Sequence, residues 1–130
     1  GATRGRVAEQ LALAEFLRCG LFARHVRRMR RLYRQRRDAL GEALQRHACA
    51  GAAIHGGTAG MHLALRFHDS AWDDLALSRR AAQDGIVALA LSAHGTGEGP
   101  GWNGFLLGYA QVPAENMDGL ARRVGALLPA

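Results

Sequence analysis

MHLALRF, residues 61–67, puts Met61, Leu63, Leu65 and Phe67 on one face and His62, Ala64 and Arg66 on the other. A period of two is the signature of a strand with one buried side, so the chain is not all-helical. Upstream, residues 53–55 form a short strand closed by Gly56-Gly57. Downstream, Ser70-Ala71-Trp72-Asp73 has the form of a capping box opening a helix that runs to Asp84 and stops at Gly85. Residues 86–91, IVALAL, are a continuous apolar run of strand length, and residues 105–111 give a further strand. Pro113 starts a last helix whose seam is Met117, Leu120, Val124, Leu127 and Leu128.

The first fifty residues have a different texture. Strong helix formers run from Val7 to Arg18, Gly20 reads as a stop, and a longer helix spans 23–47. Its seam is Phe22, Val26, Met29, Tyr33, Leu40 and Leu44. The expected order is α-α-β-β-α-β-β-α: an α/β (α+β) fold in which a helical hairpin at 7–48 precedes a small, mostly antiparallel sheet covered by helices at 50–128. The whole of 1–130 reads as a single domain, a length that can bury one core.

Charge is unevenly placed. Residues 1–50 hold twelve Arg against four acids, whereas residues 51–130 hold five against seven. All seventeen basic side chains are arginine. The absence of lysine removes Schiff-base, lysine general-base and Walker-type phosphate chemistry from this chain. Cys19 and Cys49 lie thirty positions apart without a CxxC, as reduced thiols of a cytoplasmic protein would. No apolar run approaches the roughly 20 residues that span a bilayer, and no secretory leader precedes the first helix.

Eight arginines fall between Arg24 and Arg37. Such a helix could neutralise phosphates, but no aromatic residues interleave to stack on bases, and a solvated or domain-contacting helix is the plainer reading. The glycine-rich stretches 55–60 and 95–101 run into strands rather than helix N-termini, so they read as turns and not phosphate cradles. The six histidines are scattered, and His47-x-Cys49 lacks further ligands at metal spacing. Ser70, Ser78 and Ser92 occupy no nucleophile elbow. Asp73 and Asp74 read as first-turn helix acids. On its own residues the chain carries no catalytic, cofactor-binding or metal site.

Residues 13–44, LAEFLRCGLFARHVRRMRRLYRQRRDALGEAL, resemble the segment that follows the cofactor lysine in MocR-type regulators of the GntR superfamily. The most specific element is His25, Arg27, Arg28, Met29, Arg30 and Tyr33; residues 59–67 and 103–124 agree in order and spacing. The resemblance implies the C-terminal subdomain of a fold-type I aminotransferase-like region. It implies a homodimeric parent protein with a winged helix-turn-helix that binds DNA and a large domain that holds pyridoxal phosphate. The small domain would then close over an effector pocket, with Arg27, Arg28, Arg30 and Tyr33 in domain or dimer contacts.

One position departs from that pattern. Aminotransferases carry an arginine for the substrate carboxylate in a motif like R-[LI]-[SG]-[FY]-A, and Leu106-Leu107-Gly108-Tyr109-Ala110 puts Leu106 there. Leucine cannot pair bidentately with a carboxylate, which favours a sensor over a transaminase. Two alternatives stay open: the small domain of a true pyridoxal-phosphate aminotransferase, and a free-standing Arg-rich module that binds nucleic acid.

Overall fold

The computed structural model describes residues 2–56, 60–94 and 101–130. The elements are α1 (Ala2–Arg18), α2 (Leu21–His47), β1 (Ala52–Gly56), β2 (His62–Phe67), α3 (Asp74–Gln83), β3 (Ala88–Ala90), α4 (Leu91–His94), β4 (Gly104–Gly108) and α5 (Met117–Leu127). A 3-10 turn at Ala114–Asn116 leads into α5. The chain divides into two compact units, Gly1–Leu32 and Tyr33–Ala130, with the boundary inside α2.

In the first unit, Phe16 packs edge-on against Phe22 at 6.1 Å between ring centroids and against His25 at 6.5 Å. Glu15 accepts from the Cys19 thiol at 2.9 Å and also pairs with Arg18. The Cys19 contact, then Arg18, holds the Glu15 carboxyl below its ordinary range, and the same contact pushes the Cys19 thiol up. Val7, Leu11, Leu13, Leu17, Leu21 and Phe22 remain exposed. α1 begins at Ala2 rather than Val7, because Gly5 does not interrupt the helical turn in which it sits.

The second unit is a four-stranded antiparallel sheet in the order β1-β2-β4-β3. Its inner face is made by Leu63, Leu65, Phe67, Phe105 and Leu107, all buried. They join Leu40, Ala43 and Leu44 of α2, Ala81 of α3, and Met117, Ala121, Val124 and Leu127 of α5 in one core. Each large side chain so enclosed contributes about 1.5–3 kcal/mol of transfer free energy. α5 approaches α2 closely: a Cβ on Gly125 would stand 2.1 Å from the His47 carbonyl oxygen, so a side chain there would force the helices apart.

Four further expectations are corrected. The cap of α3 is Asp73, whose side chain accepts from the Ala76 amide at 3.1 Å; Ser70 falls in a turn that Asp69 organises by accepting from the Ala71 amide at 2.9 Å. The apolar run 86–91 yields only three strand residues, and the chain turns into α4 at Leu91. β4 covers Gly104–Gly108 instead of running to Gln111. Met61 is exposed, because β2 begins one residue later at His62. Residues 57–59 and 95–100, which hold most of the two glycine-rich stretches, lie outside the described residues.

Candidate functional site

The outer face of the sheet carries the chain's distinctive features. The register pairs Ala64 with Leu106 and Leu89 with Leu106, so Leu106 lies on the central strand between two apolar neighbours. Because side chains alternate along a strand, Leu106 faces away from the core while Phe105 and Leu107 enter it. Leu106 is half-buried. It lines a groove of about 490 Å³ together with Met61, His62, Leu89, Val112 and Leu120. Val87, at 78% exposure, stands at the same groove on the β3 edge. His62 and Gln111 are the polar side chains among its lining residues. Such a surface accommodates an apolar group and offers few oriented hydrogen bonds.

Residues distant in sequence fix β4. At its start, Asp74 is buried to 3% exposure and accepts from the Gly104 amide at 3.1 Å and the Ser92 amide at 3.0 Å. The Ser92 hydroxyl donates to the other carboxylate oxygen. Asn103 Nδ2 donates to the Trp72 carbonyl at 2.8 Å. Gly104 has φ +151°, and a Cβ there would stand 2.0 Å from the Leu65 carbonyl oxygen. Only glycine lets β4 come this close to β2. Beyond the strand's end, Arg36 of α2 donates to the Ala110 carbonyl, and the Tyr109 hydroxyl donates to the Gly60 carbonyl at 3.1 Å.

Asp118 ties α5 to α2. It accepts from His47 at 2.9 Å and from Arg46 at 2.9 and 3.1 Å, with Arg122 at 3.4 Å. The His47 hydrogen bond, then that of Arg46, holds the Asp118 carboxyl below its ordinary range.

Arg27, Arg28 and Arg30 are exposed on α2 within the first unit, where Arg28 contacts His25 Nδ1 at 3.2 Å. Tyr33 opens the second unit and packs half-buried against its core. Sequence reading missed two structural residues. Asp74 lies thirty positions from Gly104, and no spacing rule connects them. Arg36 is one of eight arginines in the cluster and is not distinguished by its neighbours. Among the described residues, no group of three or more His, Cys, Asp or Glu could hold a metal ion. No described helix is long and apolar enough to cross a membrane.

No protein-family model matches the chain. Solved structures share its fold. The α-aminoadipate aminotransferase LysN of Thermus thermophilus, complexed with N-(5'-phosphopyridoxyl)-L-leucine, superimposes with a TM-score of 0.72 and 26% identity, over 89% of this chain and 29% of that one. A multiple substrate aminotransferase of Thermococcus profundus gives a TM-score of 0.70 and 22% identity, over 87% of this chain and 28% of that one. The chain therefore has the fold of the small domain of fold-type I aminotransferases.

Its sequence relatives are of another kind. The probable rhizopine catabolism regulatory protein MocR of Rhizobium meliloti is 38% identical over 108 residues, 83% of this chain and 22% of that protein. The uncharacterized HTH-type transcriptional regulator YhdI of Bacillus subtilis is 32% identical over 108 residues, 83% of this chain and 23% of that protein. The chain's homologues are thus MocR-type regulators, it matches an aminotransferase-like segment, and it spans less than a quarter of these relatives.

The aminotransferase fold implies pyridoxal phosphate for a parent protein. The residues present do not fit that group by themselves. No lysine is available to bond its aldehyde, and the groove beside Leu106 offers His62 and Gln111 rather than a phosphate cradle.

Proposed function

We propose that this chain is the small-domain part of an effector-sensing, pyridoxal-phosphate-dependent region in a DNA-binding transcriptional regulator, and that it contributes no catalytic group. The observation that carries the reading is Leu106. It sits half-buried on the open sheet face, in an apolar groove, at the position where the resemblance places a carboxylate-reading arginine. The regulators among the relatives support the same reading.

In this role a cofactor held by the large domain would supply the chemistry that recognises an amine effector. The present residues shape one wall of the pocket. Leu106, Leu89 and Val87 exclude water, and His62 is placed to orient a polar group of the effector. Asp74 and Arg36 tie β4 to α3 and α2, so closure of the wall displaces helices with it. The parent protein is a homodimer whose winged helix-turn-helix contacts the operator.

The test is the full-length protein. Its reading frame should encode a winged helix and a strand-borne lysine upstream of Gly1, and its operator affinity should change when an amine effector occupies the cofactor. Leu106→Arg should raise affinity for α-amino acids by about tenfold or more, as a bidentate charge-assisted pair is added. A lysine domain without a winged helix, joined to steady transamination, would instead make this the small domain of an aminotransferase.

A further inference from the structure

Beside Leu106, the open face carries a second cluster. Parity along β1 and β2 puts His55 and Arg66 on this side of the sheet, and Trp102, two residues before β4, brings its ring against both. The Arg66 guanidinium carbon lies 4.3 Å from the centroid of the Trp102 ring, and His55 meets that ring edge-on at 4.7 Å. Arg66 is exposed, and His55 and Trp102 are half-buried. Among the described residues, none of the three forms a side-chain hydrogen bond and Arg66 has no ion-pair partner.

A guanidinium stacked on an aromatic face is restrained in one plane, while its in-plane N–H groups stay free. That arrangement presents a preset fork to a planar anion, and carboxylate geometry matches the fork in two parallel hydrogen bonds. The indole N–H is donor-only, and the imidazole supplies a further donor beside it. The three side chains together offer donors where the groove at Leu106 offers few. Arg66 is diagonal to Leu106 across the β2–β4 pair, about 7 Å away by sheet geometry. An anion held here is therefore distinct from an apolar group seated at Leu106.

We infer that Arg66, backed by Trp102 and flanked by His55, is a binding site for a carboxylate ligand on the open face of the sheet. The site goes beyond the regulatory reading and requires neither the cofactor nor DNA.

The experiment uses the full-length protein labelled with 5-fluorotryptophan, its fluorine resonances assigned by Trp102→Phe and Trp72→Phe. It is titrated with succinate, with inorganic phosphate, and with sodium chloride at matched ionic strength. Succinate should move the Trp102 resonance saturably and leave Trp72 in place. Arg66→Gln should weaken that response by about tenfold or more, the loss of one charge-assisted pair. An unchanged Trp72 resonance in that variant reports that the sheet is intact. Phosphate should bind more weakly than succinate, because it lacks the planar fork match. The inference is overturned by a shift that chloride reproduces, by a response that Arg66→Gln retains, by tighter binding of phosphate than of succinate, or by no saturable shift.

Discussion

Replacing Asp74 separates a carboxylate that organises β4 from one that merely begins a helix. Asp74 is buried and meets three donors: the amides of Ser92 and Gly104, and the Ser92 hydroxyl. Asp74→Ala leaves the buried Gly104 amide without a partner, at a cost of about 1–3 kcal/mol, and the two charge-assisted bonds from Ser92, an exposed residue, are lost as well, at about 1.5 kcal/mol each. Loss of the carboxylate also relieves the cost of burying it, which offsets part of the total. The expected net destabilisation is about 3–5 kcal/mol. Asp74→Asn differs in a useful way. Its amide oxygen can accept from the two backbone amides, while its NH₂ donates to the Ser92 hydroxyl, which rotates to accept. Three bonds survive without charge assistance, so the cost falls to about 1–2 kcal/mol.

Urea unfolding followed by tryptophan fluorescence reads both variants, since Trp72 and Trp102 lie in the same unit as Asp74. With a slope of about 1.5 kcal/mol per molar urea, Asp74→Ala should lower the midpoint by about 2–3 M and Asp74→Asn by about 1 M. If Asp74 acts only as a first-turn acid, Ala should cost less than about 1 kcal/mol. That outcome, or equal costs for Ala and Asn, would refute the reasoning.

Gly104→Ala should destabilise the second unit by about 3 kcal/mol or more, since its Cβ would collide with the β2 backbone 2.0 Å away; a midpoint within about 0.3 M of the parent's would show that β4 is not held so close. Asp118 predicts a pH dependence with a definite sign. Its folded-state pKa lies below the ordinary 3.8, so its contribution is present above the unfolded value and is lost as pH falls through the folded one. The melting temperature of Asp118→Asn should thus stay furthest below that of the parent at all pH values above about 5, and the gap should close progressively as pH falls below 3.8. A gap that persists in acid would assign the contact to shape rather than charge.

The strands and helices were legible wherever periodicity carried them. The alternation in 61–67 marks β2, and the apolar seam of α5 matches its buried positions Met117, Val124 and Leu127. Boundaries failed where long-range contacts set them. IVALAL reads as a strand throughout, but Asp74 takes the Ser92 amide and the backbone turns at Leu91. Ser70 and Asp73 have the spacing of a capping box, yet the Asp69 turn occupies Ser70 and leaves Asp73 as the cap. Leu106 could be singled out because a family pattern marks its position. Arg66, His55 and Trp102 come together only through strand register, which no one-dimensional pattern contains.

The pinning of β4 has a consequence for how an effector could be sensed. A wall that responds to a ligand must transmit its displacement, and a strand held only by its neighbours would absorb a small shift locally. β4 is fixed at its start through Asp74 to α3 and past its end through Arg36 to α2. α2 is in turn joined to α5 through Arg46, His47 and Asp118. Packed elements resist continuous deformation, so pressure at Leu106 moves β4 with those helices. The side-chain types divide the work accordingly. Leucine at 106 supplies contact without a strong directional bond, and buried or charged partners elsewhere supply the rigidity. If the chain has the proposed regulatory role, Asp74→Asn in the full-length protein should reduce the effector-induced change in operator affinity more than it raises the effector Kd, because the groove's apolar lining survives while its connection to the helices does not; equal losses in the two would reject this coupling.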